Sequence, residues 1–165
     1  MKRKHQVIKI IDNYLPDSEH LKLKEVIESN NFPWFYNDGK VSPSDRLFDY
    51  QFFHNFYKDN NVSSELFYLL NPIIEKIKPL SLIRIKANCN PISHKLVVFD
   101  KHVDQFFNSK AAVYYVNDNN GYTMIGDKKV ISKSNRIVFF DADTKHYGTN
   151  STNYNNRIVI NFNYF

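Results

Sequence analysis

Cysteine is almost missing from this sequence: Cys89 is the only one in 165 residues. A single thiol excludes an internal disulfide framework and a cysteine-built zinc cluster, and it fits a reducing compartment, with the cytoplasm as the expectation. Glycine is scarce too, at four residues. No phosphate-cradling glycine loop, dinucleotide fingerprint or Ser-His-Asp order appears. No apolar run approaches the roughly 20 residues that span a bilayer, so no membrane partner is expected. Met1-Lys2-Arg3-Lys4 has the charge of an export signal, but Lys9 and Asp12 interrupt the apolar stretch that follows. That stretch reads as a strand.

What is present is enough for a core. Hydrophobic residues make up 42% and aromatic residues 16%, which rules out global disorder. The length suits one domain over residues 1–165, with helices and support strands in 1–80 and a β core in 81–165. A net charge of +5 and a pI near 9.1 would favour an anionic partner such as nucleic acid. The basic residues are scattered, however, and only Lys2–Lys4 form a run, which reads as a solvated start.

Gln6–Ile11 reads as a strand. Asp17 or Ser18 is placed to cap a helix running to about Ser29, with Leu21, Lys24, Glu25 and Glu28 spaced as on a surface helix. Asn30–Pro43 is a loop carrying the only tryptophan, and Leu47–Phe56 alternates as a strand. Ser63 or Ser64 can cap a second helix that Pro72 interrupts or restarts. Beyond Pro79 the pattern changes to short β-branched and aromatic runs: Leu82–Ala87, Lys95–Phe99, Ala111–Asn117, Tyr122–Ile125, Lys129–Ser132, Arg136–Phe140 and Arg157–Phe165. A further strand is expected near Lys145–Tyr147. Asn119-Asn120-Gly121 and Gly126-Asp127 are hairpin-type signals. The expected fold is α+β, mainly β: a jelly roll of about eight strands backed by the N-terminal helices.

Of six histidines, only His102 has a carboxylate two residues on, in His102-Val103-Asp104. Chance alone gives about 0.4 such pairs for this composition, so the motif needs context. In an extended segment, residues i and i+2 face the same side, so both side chains can reach one ion. His146 is the natural third ligand, although alone it would read as a loop histidine. Two imidazoles and one carboxylate suit a non-haem iron(II) site with open positions. On the last strand Arg157, Val159 and Asn161 share one face, and Ile158, Ile160 and Phe162 the other. If the apolar face packs on the helices, the guanidinium turns inward, where an anion must meet it. The alternative is a surface arginine on an edge strand.

His102-x-Asp104, His146 and Arg157, in this order over short strands, resemble the iron(II)- and 2-oxoglutarate-dependent dioxygenases, in particular their prolyl-4-hydroxylase-like branch. Val113-Tyr114-Tyr115-Val116-Asn117 is similar to the branch's strand after the first metal ligands, and Asn135–Phe140 to its approach to the distal histidine. Phe32-Pro33-Trp34 and Phe53-His54 resemble the N-terminal part of small phage-type members, for which the compartment would be the host cytoplasm. The resemblance implies a double-stranded β-helix with His102, Asp104 and His146 on iron. It implies Arg157 and the Tyr115 hydroxyl on the distal carboxylate of 2-oxoglutarate, with Tyr114 the alternative one register away. Asn88 or Asn90 would lie near the cosubstrate, where the branch commonly has a tyrosine; Thr123 and Asn161 are further pocket candidates. Hydroxylation with release of succinate and CO2 follows, with ascorbate as an accessory reductant. A prolyl or peptidyl substrate is favoured, with Trp34, Phe35 and Tyr36 as a lid, unless Trp34 anchors the N-terminal helix. The runners-up are an oxygenase of nucleic acid or a small molecule, and a non-catalytic cupin-like module holding zinc. His94 reads as a solvated loop residue and His54 as a satisfied core residue.

Overall fold

The computed structural model describes residues 7–39 and 49–165. The expected strand starts at Gln6 and Leu47, the loop end at Pro43 and the basic run Lys2–Lys4 lie outside them. The elements are β1 (Lys9–Ile11), α1 (Asp17–Ile27), β2 (Phe35–Asn37), β3 (Gln51–Lys58), β4 (Asn61–Val62), a 3₁₀ turn (Glu65–Leu70), α2 (Asn71–Ile77), β5 (Leu82–Pro91), β6 (Lys110–Tyr115), β7 (Tyr122–Ile125), β8 (Lys128–Ile131), β9 (Arg136–Asp141), β10 (His146–Gly148) and β11 (Asn156–Tyr164). All strand pairs are antiparallel. The larger sheet runs β1-β9-β6-β11-β5-β3-β2, with β4 on β3, and the smaller runs β10-β7-β8. This is the mainly-β jelly roll expected, and the large sheet takes strands from both halves of the chain. Among the described residues no helix is long and apolar enough to cross a membrane.

Alternation along the central strands sorts their side chains into two layers. Ile85, Ala87, Ala112, Tyr114, Ile158, Ile160 and Phe162 face the helices and pack with Leu23, Ile27, Leu70 and Ile73. Each such fully buried side chain contributes about 1.5–3 kcal/mol. The opposite face carries Val113, Tyr115 and Val159, which pack with Ile125, Val130 and Phe140. The register places Tyr115 between the sheets and Tyr114 on the helix side, where the Tyr114 hydroxyl bonds His20 Nδ1 at 2.7 Å and donates to Asn135 Oδ1 at 3.0 Å.

Several local expectations are corrected. Helix α1 starts after Pro16 with no side-chain cap; Asp17 and Glu19 lie in its first turn, where their charge suits the helix dipole. Its buried face is His20, Leu23 and Ile27. Ser64 does cap, accepting from the Leu66 N–H, and Pro72 begins the second helical half. A short strand, β2, forms inside the expected loop. Lys95–Phe99 is not a strand. The Asn150 side chain accepts from the Val97 N–H at 2.8 Å and donates to the Lys95 carbonyl, so this backbone is satisfied with only an isolated bridge at Val98. Gly126-Asp127 closes the β7–β8 hairpin, with Gly126 at φ 55°. Asn119-Asn120-Gly121 instead carries the chain from one sheet to the other. There a Cβ on Gly121 would collide with Arg157 and the Asn150 carbonyl.

Candidate active site

His102 and His146 sit opposite each other as an isolated antiparallel bridge. Each backbone N–H donates to the other's carbonyl, at 2.9 and 2.8 Å. This pairing, rather than a continuous strand through His102, brings the rings to a centroid distance of 4.5 Å. His146 Nδ1 lies 2.8 Å from the Thr144 carbonyl and His102 Nδ1 3.1 Å from that of Asp100. A carbonyl can only accept, so each Nδ1 carries a proton, which leaves Nε2 as the nitrogen able to ligate a cation. Both Nε2 atoms face Asp104 Oδ1, at 4.0 Å from His102 and 3.8 Å from His146. The three donor atoms lie within 4.8 Å of one another. Burial holds the His146 imidazole below its ordinary pKa, against the pull of the Asp104 charge. A neutral ring with its lone pair aimed at a carboxylate is suited to a cation.

The sequence reading did not include the side chains that hold the carboxylate. Asn163 Nδ2 donates to Asp104 Oδ2 at 2.9 Å, and Arg84 Nη2 lies 3.3 Å from Asp104 Oδ1. Arg84 also donates to Asn163 Oδ1 through Nε and Nη2, so the three form one network. Such outer contacts orient a ligating carboxylate. The signal was available in β5, where Arg84, Lys86, Asn88 and Asn90 alternate with Ile85, Ala87 and Cys89, giving a central strand one wholly polar face.

That face meets the polar face of β11. The register pairs Arg157 with Asn90, Val159 with Asn88, Asn161 with Lys86 and Asn163 with Arg84. All of these except Asn163 line a cavity of about 280 Å³ that also reaches Thr123, His102, Asp104 and His146. Arg157 is only 2% exposed. Its Nε donates to Ser132 Oγ and its Nη2 to Thr123 Oγ1, both at 2.8 Å. No carboxylate pairs with it among the described residues, and burial lowers its pKa to about 10. Tyr115 is fully buried behind it, with its ring centre 5.8 Å from the guanidinium carbon. Burial raises the Tyr115 phenol pKa, so the group stays a proton donor. Among the described residues, Asn88 Oδ1 and Asn90 Oδ1 are buried with no hydrogen-bond partner, and the Tyr115 hydroxyl, whose polar neighbour is Thr123, has none either.

Unpartnered buried polar atoms cost roughly 1–3 kcal/mol each. Asn88 and Asn90 line one cavity with Arg157, and Tyr115 packs behind that guanidinium. A ligand carboxylate fits the guanidinium and the Tyr115 hydroxyl, and a divalent cation fits the two imidazoles and Asp104. The other histidines lie elsewhere. His54 donates from Nδ1 to the Pro33 carbonyl, while its Nε2 is buried without a partner; it is only half-satisfied. His94 is exposed, and His5 lies outside the described residues. Trp34 packs on Phe32 against the helix-side core, whereas Phe35 and Tyr36 are exposed.

No protein-family model and no curated protein matches the chain. Solved structures do. A prolyl hydroxylase from Trichoplax adhaerens, in complex with a hypoxia-inducible-factor oxygen degradation domain peptide, superposes at TM-score 0.67 and 17% identity over 96% of this chain and 83% of that one. A prolyl-4-hydroxylase from Pseudomonas putida gives 0.60 at 9% identity, over 97% and 93%. The non-haem α-ketoglutarate-dependent carbocyclase SnoK of nogalamycin biosynthesis gives 0.69 at 15%, over 96% and 79%. The fold is that of the 2-oxoglutarate/iron(II) oxygenases. At these identities the likeness concerns this oxygenase fold, and the chemistry has to be argued from the side chains.

Proposed function

We propose that this protein is an iron(II)- and 2-oxoglutarate-dependent dioxygenase, one domain over residues 1–165, that hydroxylates its substrate with succinate and CO2 as coproducts. The observation that carries the reading is the pairing, in one cavity, of the His102/Asp104/His146 donor set with the buried, carboxylate-free Arg157. A zinc-binding module would account for the first and leave the second, with its orphaned neighbours, unexplained.

In this reading His102 and His146 hold the ion through Nε2, each ring locked by its Nδ1–H on a backbone carbonyl. Asp104 supplies the anionic ligand, turned by Asn163 and Arg84. Bound iron(II) supplies the redox chemistry that activates dioxygen beside a 2-oxo acid. Arg157 binds the distal carboxylate through guanidinium N–H groups, and the Tyr115 hydroxyl donates to the same group. Asn88 and Asn90 gain partners if their amides rotate to present NH₂, and Thr123 and Asn161 complete the wall. The apolar packing of Val113 and Val159 limits water around the cosubstrate.

A prolyl or other peptidyl side chain is the favoured substrate, supported by the peptide in the Trichoplax complex and by the exposed Phe35 and Tyr36 on edge strand β2. Nucleic acid ranks behind it. Ascorbate would serve as accessory reductant, and a reducing cytoplasm would keep the iron ferrous. The test is anaerobic titration with Fe(II) and 2-oxoglutarate, then succinate release in air. Metal-dependent uptake of the oxo acid is expected. Tight zinc binding with no oxo-acid affinity would instead establish the binding module.

A further inference from the structure

Lys86 has no role in the chemistry above, yet it points into the same cavity. It lies in the middle of β5, between Asn161 of β11 and Asn55 of β3, with Arg84 two residues away on the same face. Among the described residues, its ammonium has no ion-pair or hydrogen-bond partner. Its contact is the Phe53 ring, 4.9 Å from Nζ. This offset towards β3 separates it from Arg157, whose neighbours Tyr115, Thr123 and Ser132 lie on β6 and towards the smaller sheet.

Charge bookkeeping adds to the geometry. Among the described residues, the cavity is lined by three cationic side chains, Arg84, Lys86 and Arg157, and one carboxylate, Asp104. A divalent ion and a doubly charged oxo acid cancel each other, so two positive charges remain after both are bound. Asp104 cannot neutralise Arg84 fully while it also ligates a cation. Arg84 is one-third exposed at its side chain and Arg157 almost fully enclosed, so the surplus lies on the open side, where a substrate enters. Burial, with repulsion from Arg84 and Lys58 and against the attraction of Asp104, lowers the Lys86 pKa to about 8, as expected for a desolvated ammonium.

We propose that Lys86, backed by Arg84, recognises an oxyanion carried by the substrate, a carboxylate or a phosphate close to the carbon that is oxidised. This rests on the oxygenase reading and narrows it: among peptides, those with an acidic or phosphorylated residue beside the target are selected.

The test uses the full chain loaded with Zn(II), which is redox-inert, and N-oxalylglycine, an unreactive mimic of the oxo acid. Melting temperature is followed on adding N-acetyl-aspartate amide, N-acetyl-asparagine amide or inorganic phosphate at matched ionic strength. The expected result is a rise with at least one anion and none with the asparagine compound; the responding arm names the source. Lys86→Met should abolish the rise and Lys86→Arg keep it, while Lys58→Met, at an exposed site, leaves it intact. N-oxalylglycine affinity should stay within about threefold in Lys86→Met. No rise with either anion, or an equal rise in Lys86→Met, overturns the proposal. So does a loss of about tenfold in N-oxalylglycine affinity in that variant, which would put the lysine on the cosubstrate. A thymidine oligonucleotide that stabilises wild type and Lys86→Met alike would point to nucleic acid and also overturn it. Wild-type protein that takes up no N-oxalylglycine fails the oxygenase reading itself, before any anion is added.

Discussion

The two faces of strand β11 are buried almost equally and do opposite things. Ile158, Ile160 and Phe162 are at most 2% exposed against the helices, and Arg157 is equally enclosed on the other face. Hydrocarbon meets hydrocarbon on one side, and the gain is stability. On the other, a guanidinium, amides and a phenol have been removed from water without full compensation. That arrangement costs free energy unless a ligand completes it. One strand therefore separates what holds the fold from what awaits a partner.

Substitutions on the two faces should separate in the same way. The largest effect is expected from Phe162→Ala, which opens a cavity in the helix-side core and should cost about 3–5 kcal/mol of unfolding free energy. Denaturant titration measures it, and oxo-acid affinity of the folded fraction should be unchanged. Arg157→Ala should do the reverse. Metal-dependent 2-oxoglutarate binding should weaken by about 2–5 kcal/mol, with little loss of stability, since a buried charge without a carboxylate partner is removed. Calorimetry reads the first and thermal melting the second; equal losses in both would erase the distinction between the faces.

Asn163→Ala probes the polar face without touching the ion. Freeing Asp104 Oδ2 should weaken metal binding by roughly 10–100-fold, measured by competition with a chelator. The smallest effect concerns pH. Below about 8 the Lys86 ammonium is charged in both folded and unfolded chains, and its burial cost is constant. Between about 8 and the ordinary 10.5 the folded protein has released the proton and the unfolded chain retains it, so this contribution to stability rises with pH. Wild type should gain on Lys86→Met across that window; parallel curves would place the ammonium in water.

The alternation that separates these faces could be read directly from residues 157–162, because a strand's period of two is a local property. The opposed roles of Tyr114 and Tyr115 needed more. Their adjacency shows that one must face each way, but only the pairing of Val159 with Tyr115 says which. The polar face of β5 that carries Arg84 was legible in the same way, but its contacts with Asn163 and Asp104 were not. Arg84 and Asn163 are 79 residues apart, and their contact exists only in the register that β5 and β11 adopt. Lys95–Phe99 misled for a related reason. Its composition suits a strand, but backbone pairing stops at a bridge around Val98, and an Asn150 side chain more than fifty residues away takes the Val97 N–H and the Lys95 carbonyl instead.

By itself the sequence determined the class of the fold, the order of the chemistry-bearing residues and the split of the last strand into an apolar and a polar face. These follow from composition, turn chemistry and side-chain alternation, all set within a few residues. Only the tertiary structure decided that two distant histidines pair through their backbones with both Nε2 atoms facing one carboxylate, and that two guanidinium groups, an ammonium and several side-chain amides share a cavity. Those facts depend on which strands become neighbours and in which register, and that is settled by burying the whole apolar face of the large sheet at once.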